Sequence, residues 1–191
     1  MGHEHLIETA LTSEDILKGD FLHARRDVVR LPDGSQATRE YIVHPGAVMI
    51  IAQLADGRLV LERQYRYPMH AVMIEFPAGK LDAGEDPLVC AKRELLEETG
   101  YTASQWARAG VLHPVISYST EFIDIWFARE ISLGERKLDA GEFLDVFTAT
   151  PAEFSAWCRD GQVTDAKTLT GALWLQNVSL GAWTLDWQPS I

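Results

Sequence analysis

The residues best suited to chemistry lie in one short stretch, Arg93-Glu94-Leu95-Leu96-Glu97-Glu98. On a helix, Glu94, Glu97 and Glu98 stand at i, i+3 and i+4 and share one face. Carboxylates this close repel one another, and partial burial strengthens the repulsion. A divalent cation relieves it, because Mg2+ prefers hard oxygen ligands and keeps its remaining positions for water or phosphate oxygens. A solvated acidic face balanced by Lys92 and Arg93 gives the same pattern. The preceding residues favour the metal. Phe76-Pro77-Ala78-Gly79 ends a strand, and the loop Lys80–Glu85 leads straight into the acidic helix with glycines at 79 and 84. Such a strand–loop–helix unit brings backbone amides and carbonyls close to the acids, where a metal-bound phosphate can sit. Asp82 reads as part of the turn.

The acids need a helix and a sheet to hold them. Asp86 suits an N-cap, Pro87 the first helical position and Gly100 the residue past the end, which predicts a helix over Asp86–Gly100. Leu88, Ala91 and Leu95 share one flank and Val89 and Leu96 the other, so the expected helix is apolar on two sides around an acidic stripe. Upstream, Phe21–Arg30 and Ala37–Val43 flank the turn signal Leu31-Pro32-Asp33-Gly34, and Ala47–Leu54 and Arg58–Arg66 flank Asp56-Gly57. Val72–Phe76 is a further short strand. Downstream, Gly110–Leu112 and Phe122–Arg129 read as strands, with helices from Thr150-Pro151 to Arg159 and from Asp165 to Asn177. The order predicts an α+β fold with helices on a mixed sheet.

At 191 residues, 47% hydrophobic and 24% charged, the chain reads as one soluble globular domain with room for a small extra sheet. No apolar stretch is long enough to span a bilayer, and the N-terminus has no basic-then-apolar pattern of a signal peptide. Two cysteines, each in a helical pattern, suit a reduced, cytoplasmic protein. The net charge of −11 argues against nucleic acid or an anionic membrane as partner. It also means that an anionic substrate must be met by a metal ion and a few aimed arginines.

Gly79, five residues, Glu85, seven residues, Arg93-Glu94-Leu95, then Glu97-Glu98 and Gly100-Tyr101 resemble the Nudix box at every defined position. The resemblance implies a Nudix-type α/β/α sandwich with a mixed central sheet (residues 46–191) and a small N-terminal antiparallel β region (residues 1–45). It implies Mg2+, with Mn2+ as a substitute, held mainly by Glu94 and Glu98 with help from Glu97 and the Ala78 carbonyl. Glu85 and Arg93 would form an ion pair that steadies loop against helix, with Gly79 as structural support.

Three features outside the box resemble the ADP-ribose and nucleoside-diphosphate-sugar pyrophosphatases. They are Gln64-Tyr65-Arg66-Tyr67-Pro68 followed by Ile74-Glu75-Phe76-Pro77-Ala78-Gly79 leading into the box, Thr38-Arg39-Glu40, and Ser117-Tyr118-Ser119-Thr120-Glu121. The resemblance implies substrate contacts from Arg39 and Arg66, which suit bidentate binding of phosphate. It implies a catalytic role for Glu121, with Glu97 or another box acid as the alternative base. Tyr65, Tyr67, Tyr118 and Phe21 are candidates to stack on a base. The expected reaction is hydrolysis of ADP-ribose to AMP and ribose 5-phosphate. The alternatives are another nucleoside-diphosphate sugar, a dinucleotide or a triphosphate, or a non-catalytic ADP-ribose sensor. Pro114 stands further from the loop glutamate than in these relatives, and no tryptophan occurs in the N-terminal hairpins. The N-terminal β region is longer than a compact core needs and is expected to form a homodimer. The apolar tail Trp183–Ile191 is expected to dock on the domain.

Overall fold

A computed structural model describes residues 2–138 and 141–190. They fall into two compact units. The first comprises residues up to Pro45 together with Val115–Phe122, and the second comprises Gly46–Pro114 and the residues from Ile123 onward.

In the first unit, β1 (Thr9–Lys18), β2 (His23–Arg30) and β3 (Gln36–Val43) form an antiparallel sheet in the order β1-β2-β3. The β2–β3 turn is fixed by Asp33, whose carboxylate accepts the Ser35 N–H at 2.9 Å. Strand β1 carries no strand pattern in its residue order, for a physical reason: all ten of its residues are exposed, so no buried alternation marks it. Its ladder to β2 and ion pairs such as Arg26–Glu14 at 3.4 Å hold it instead. The stretch Val115–Phe122 joins this unit through the end of β3, where Ile42 N–H donates to the Tyr118 carbonyl and Thr120 N–H to the Ile42 carbonyl, both at 2.9 Å.

The second unit contains β4 (Ala47–Ala52), β5 (Leu59–Arg66), β6 (Ala71–Glu75), β7 (Ala78–Lys80), α1 (Pro87–Thr99), β8 (Tyr101–Leu112), β9 (Ile123–Leu133), β10 (Leu144–Ala149), α2 (Pro151–Arg159), α3 (Ala166–Ser179) and β11 (Gln188–Pro189). Five strands form a mixed sheet in the order β11-β8-β9-β4-β7, with β4 parallel to β9 and antiparallel to β7. A smaller antiparallel sheet has the order β10-β5-β6. Every residue of β4 is buried, as a strand covered on both faces requires. Met49 and Ile51 join Phe76, Phe154 and Leu175 in the main core, and the small Gly171 seats α3 directly on Met49 and Phe76. Helix α1 packs on β4, β7 and β8. The architecture is an α/β/α sandwich around a mixed sheet.

Helix α1 starts and stops where its sequence dictates. Asp86 caps it by accepting from Leu88 and Val89 N–H, and Gly100 ends it in the left-handed conformation at φ 75°. Its apolar pattern differs from the two-flanked expectation. Val89 is 56% exposed and Leu96 only half-buried, while Cys90, Ala91, Leu95, Glu98 and Thr99 are buried. The buried face thus includes one of the acids. Residues 78–80, read from sequence as the end of one strand (Ala78, Gly79) and the start of the loop (Lys80), form the edge strand β7. Strand β8 begins at Tyr101 rather than Gly110, because its polar first half and the bulge between Arg108 and Gly110 hide the alternation. The tail docks through β11, which pairs with Gln105 and Trp106 of β8, while Arg129 stacks 3.9 Å over the Trp187 ring. No described helix is long and apolar enough to cross a membrane.

Candidate active site

The site is built where edge strand β7 meets α1. Ala78 faces Met49 across the β4–β7 ladder, while the flanking Pro77 carbonyl takes the Ile50 N–H at 2.8 Å. In antiparallel alternation this makes Ala78 a non-hydrogen-bonded position, so its N–H and carbonyl both point away from β4. The N–H donates to Glu98 Oε2 at 3.0 Å. Next to it, Gly79 leaves the space that the Glu94 carboxylate fills: a Cβ there would lie 1.9 Å from Glu94 Cδ. The glycine is required by this close approach.

Arg93 organises the acids. It meets Glu85 bidentately, Nε to Oε1 at 3.0 Å and Nη2 to Oε2 at 2.9 Å, and spends Nη1 on Glu94 at 2.7 Å and Glu97 at 3.1 Å. Glu85 also accepts the Asp82 N–H at 2.9 Å, which closes the loop before the helix. The Arg93 hydrogen bonds pull the Glu85 carboxyl down to about 2. Glu94 and Glu98 go the other way. Burial lifts Glu94 to about 7 against the opposing charge of Arg93. Glu98, 4% exposed, is raised well above the usual range by burial and by the neighbouring charges of Glu62 and Glu94.

Sequence reasoning gave no role to Glu62, Glu75 or Lys167, although Glu75 stands in the Ile74–Gly79 motif. Glu62 on β5 is 3% exposed and its carboxyl lies against that of Glu98; burial lifts it to about 8, and the charge of Glu75 adds to the rise. One of its oxygens, Oε1, is sealed from solvent and has no hydrogen-bond partner. Glu75, directly opposite Glu62 on β6, takes both Nε and Nη2 of Arg66 at 2.7 and 2.8 Å, and also Lys167 Nζ. Burial pushes Glu75 up, but these two cations more than offset it and hold it below the usual value. The available signal was an acid inside an apolar strand: Leu59-Val60-Leu61-Glu62 and Val72-Met73-Ile74-Glu75. Lys167 carried none.

Arg66 is thus held by Glu75 with its side chain 43% exposed. The other two singled-out residues belong to the first unit. There Arg39 Nε donates to Glu8 at 2.9 Å, and Glu121 sits with its N–H on Ser119 Oγ at 3.1 Å and Oε1 4.0 Å from His44 Nε2. Tyr65, Tyr67, Tyr118 and Phe21 all have exposed rings.

Among the described residues no three acidic, histidine or cysteine side chains converge as a preformed metal cage. Arg93 holds Glu94 and Glu97, and Glu98 turns to Ala78. The donors still fit a hard divalent cation. They are all oxygens, Glu62 Oε1 is sealed without a partner beside Glu98, and the Gly79 cradle brings Glu94 against the backbone.

An α/β/α unit whose edge strand and glycine loop deliver an acidic helix defines a class, and comparison with known proteins bears on it directly. The NUDIX domain family matches residues 43–170, and the chain belongs to that family as a Nudix hydrolase. The Nucleoside diphosphate sugar hydrolase N-terminal domain matches residues 8–42. An ADP-ribose pyrophosphatase of Bacillus subtilis (strain 168) is 35% identical over 173 residues, 90% of this chain and 94% of the relative. A methanol dehydrogenase activator of Bacillus methanolicus is 36% identical over 173 residues, covering 88% and 92%. A crystal structure of an ADP compounds hydrolase shares the fold at TM-score 0.82 and 22% identity, covering 92% of this chain and 95% of that one.

Proposed function

We propose that the chain is a Mg2+-dependent pyrophosphohydrolase that cleaves ADP-ribose to AMP and ribose 5-phosphate. The observation that carries this reading is the pair of acids gathered over Gly79 and the free edge of Ala78, the half-buried Glu94 and the buried Glu98. The match of residues 8–42 to a nucleoside-diphosphate-sugar hydrolase N-terminal domain and the likeness to an ADP-ribose pyrophosphatase support the substrate class. That first match also favours a second reading, in which another nucleoside-diphosphate sugar is preferred.

Glu94, Glu98, Glu97 and the Ala78 carbonyl would hold the cation. When bound, Mg2+ polarises a phosphate oxygen and lowers the pKa of a water. Glu121 or Glu97 accepts the proton of the attacking water, whose oxygen joins one phosphorus as the bridging P–O bond breaks. Arg66 keeps Nη1 outside its Glu75 fork and offers it to a phosphate oxygen. Arg39 supplies a second positive charge against the net −11 of the chain. Glu85, Arg93 and Gly79 hold loop and helix in register.

Residues 1–45 serve dimerisation and 46–191 catalysis in this reading. Strand β1 is an exposed edge carrying Leu11, Ile16 and Leu17 on its surface, which a second copy would cover. The test of function is a panel of ADP-ribose, ADP-glucose, UDP-sugars, NADH and nucleoside triphosphates with Mg2+. The expected result is the highest kcat/KM for ADP-ribose; a triphosphate turned over faster would overturn the assignment.

A further inference from the structure

Every residue of β5 before Glu62 is fully buried and apolar, which makes a glutamate there conspicuous. Its cross-strand partner Glu75 has both oxygens spent, on Arg66 and Lys167. Arg136, whose charge is felt at Glu62, donates a guanidinium N–H to the Leu144 carbonyl at 2.8 Å. Among the described residues Glu62 Oε1 is the one buried carboxylate oxygen with no hydrogen-bond partner. A buried polar atom of this kind costs stability unless something pairs with it. Its carboxyl lies against Glu98, the acid that also takes the Ala78 N–H. Two sealed carboxyls in contact, one with an oxygen that no described hydrogen-bond donor reaches, form a lobe of hard donors that a divalent cation can occupy.

We infer that Glu62 is an additional ligand of the divalent cation held at Glu98, bringing a carboxylate from β5 to a site otherwise built from β7 and α1. The inference rests on the reading that the α1 acids hold a cation. Glu62 then extends the ligand set into the buried interior of the domain. It makes occupancy of that inner position dependent on a residue outside the Gly79–Tyr101 segment. A purely structural Glu62, holding a proton against Glu98, would leave cation affinity indifferent to its replacement.

The experiment is cation binding without substrate. Mn2+ titration followed by electron paramagnetic resonance, and Mg2+ titration by calorimetry, are run on the full chain, on Glu62→Gln, Glu62→Met and Glu98→Gln. Glutamine keeps the shape of the acid and methionine is apolar with similar length, so the two variants place different demands on folding, which circular dichroism checks. The expected result is a Kd raised roughly tenfold or more, or one equivalent lost, in both Glu62 variants. Wild-type affinity and stoichiometry in either folded Glu62 variant, with binding lost in Glu98→Gln, overturns the inference and leaves the α1 site standing. Absence of cation binding in the unaltered chain overturns both.

Discussion

Replacing Gly79 by alanine separates the site from the scaffold. The added Cβ would stand 1.9 Å from Glu94 Cδ and 2.0 Å from Oε1, so the carboxylate must retreat by about 1.5 Å to reach ordinary contact near 3.4 Å. The atoms in the way are the end of a flexible side chain, and Gly79 is not among the glycines with positive φ, so alanine introduces no backbone strain. Stability should therefore change by no more than about 1 kcal/mol, since alanine also restricts the unfolded chain. A misplacement of about 1 Å in catalytic geometry costs on the order of 100-fold in rate. The prediction is a kcat for Gly79→Ala about 100-fold below the unaltered chain with a nearly unchanged melting temperature. Turnover is read with ADP-ribose by coupling to alkaline phosphatase, which releases phosphate from the products and not from the intact substrate. A Gly79→Ala enzyme with near-normal kcat would refute the idea that Glu94 acts from its seat on Gly79. A collapsed melting temperature would refute the claim that the glycine serves the site and not the fold.

Arg66→Ala leaves Glu75 paired with Lys167, so the fold should survive while kcat/KM falls roughly 10- to 100-fold through lost phosphate contact; unchanged kcat/KM would remove Arg66 from the site. The cation-free protein should lose stability as pH rises. Glu94 and Glu62 have folded values raised to about 7 and about 8 from 4.5, so the folded state holds protons that the unfolded state has released. Stability is full below about 4.5 in this respect and declines through about 7 to 8, whereas the depressed Glu85 adds a separate loss as pH falls from 4.5 towards about 2. Melting temperature measured against pH should fall on the alkaline side without cation and flatten with saturating Mg2+; a flat cation-free profile contradicts the buried-acid account. Light scattering should give a dimer, with Leu11→Glu/Ile16→Glu shifting it to monomer; a monomeric unaltered chain rules out the proposed role of β1.

The legible part of this protein was whatever burial or backbone chemistry writes into residue order. Asp86, Pro87 and Gly100 mark α1 because each satisfies a specific need at a helix end. The alternation and apolar runs of β4 and β5 mark the covered sheet. Strand β1 left no mark because nothing buries it, and β8 because a bulge and polar residues interrupt its period. At the site, the spacing of Glu94, Glu97 and Glu98 fixed a common face, but spacing says nothing of depth. Glu98 is buried, whereas Glu97 remains partly exposed. Long-range partners were the least legible. That Arg66 grips Glu75, that Lys167 grips it too, and that Glu62 meets Glu98 all depend on pairings between separate elements. No local pattern records such pairings, although an acid inside an apolar strand is a signal worth following.

The central claim is that the α1 acids direct a divalent cation to the pyrophosphate of ADP-ribose. Its most direct test is product analysis of ADP-ribose incubated with Mg2+ and either the unaltered chain or Glu98→Gln, with both proteins shown to be folded. The account predicts AMP and ribose 5-phosphate in equal amounts, no reaction in chelator, and a rate at least about 100-fold lower for Glu98→Gln. Near-normal turnover by Glu98→Gln, or undiminished turnover in chelator, would contradict it.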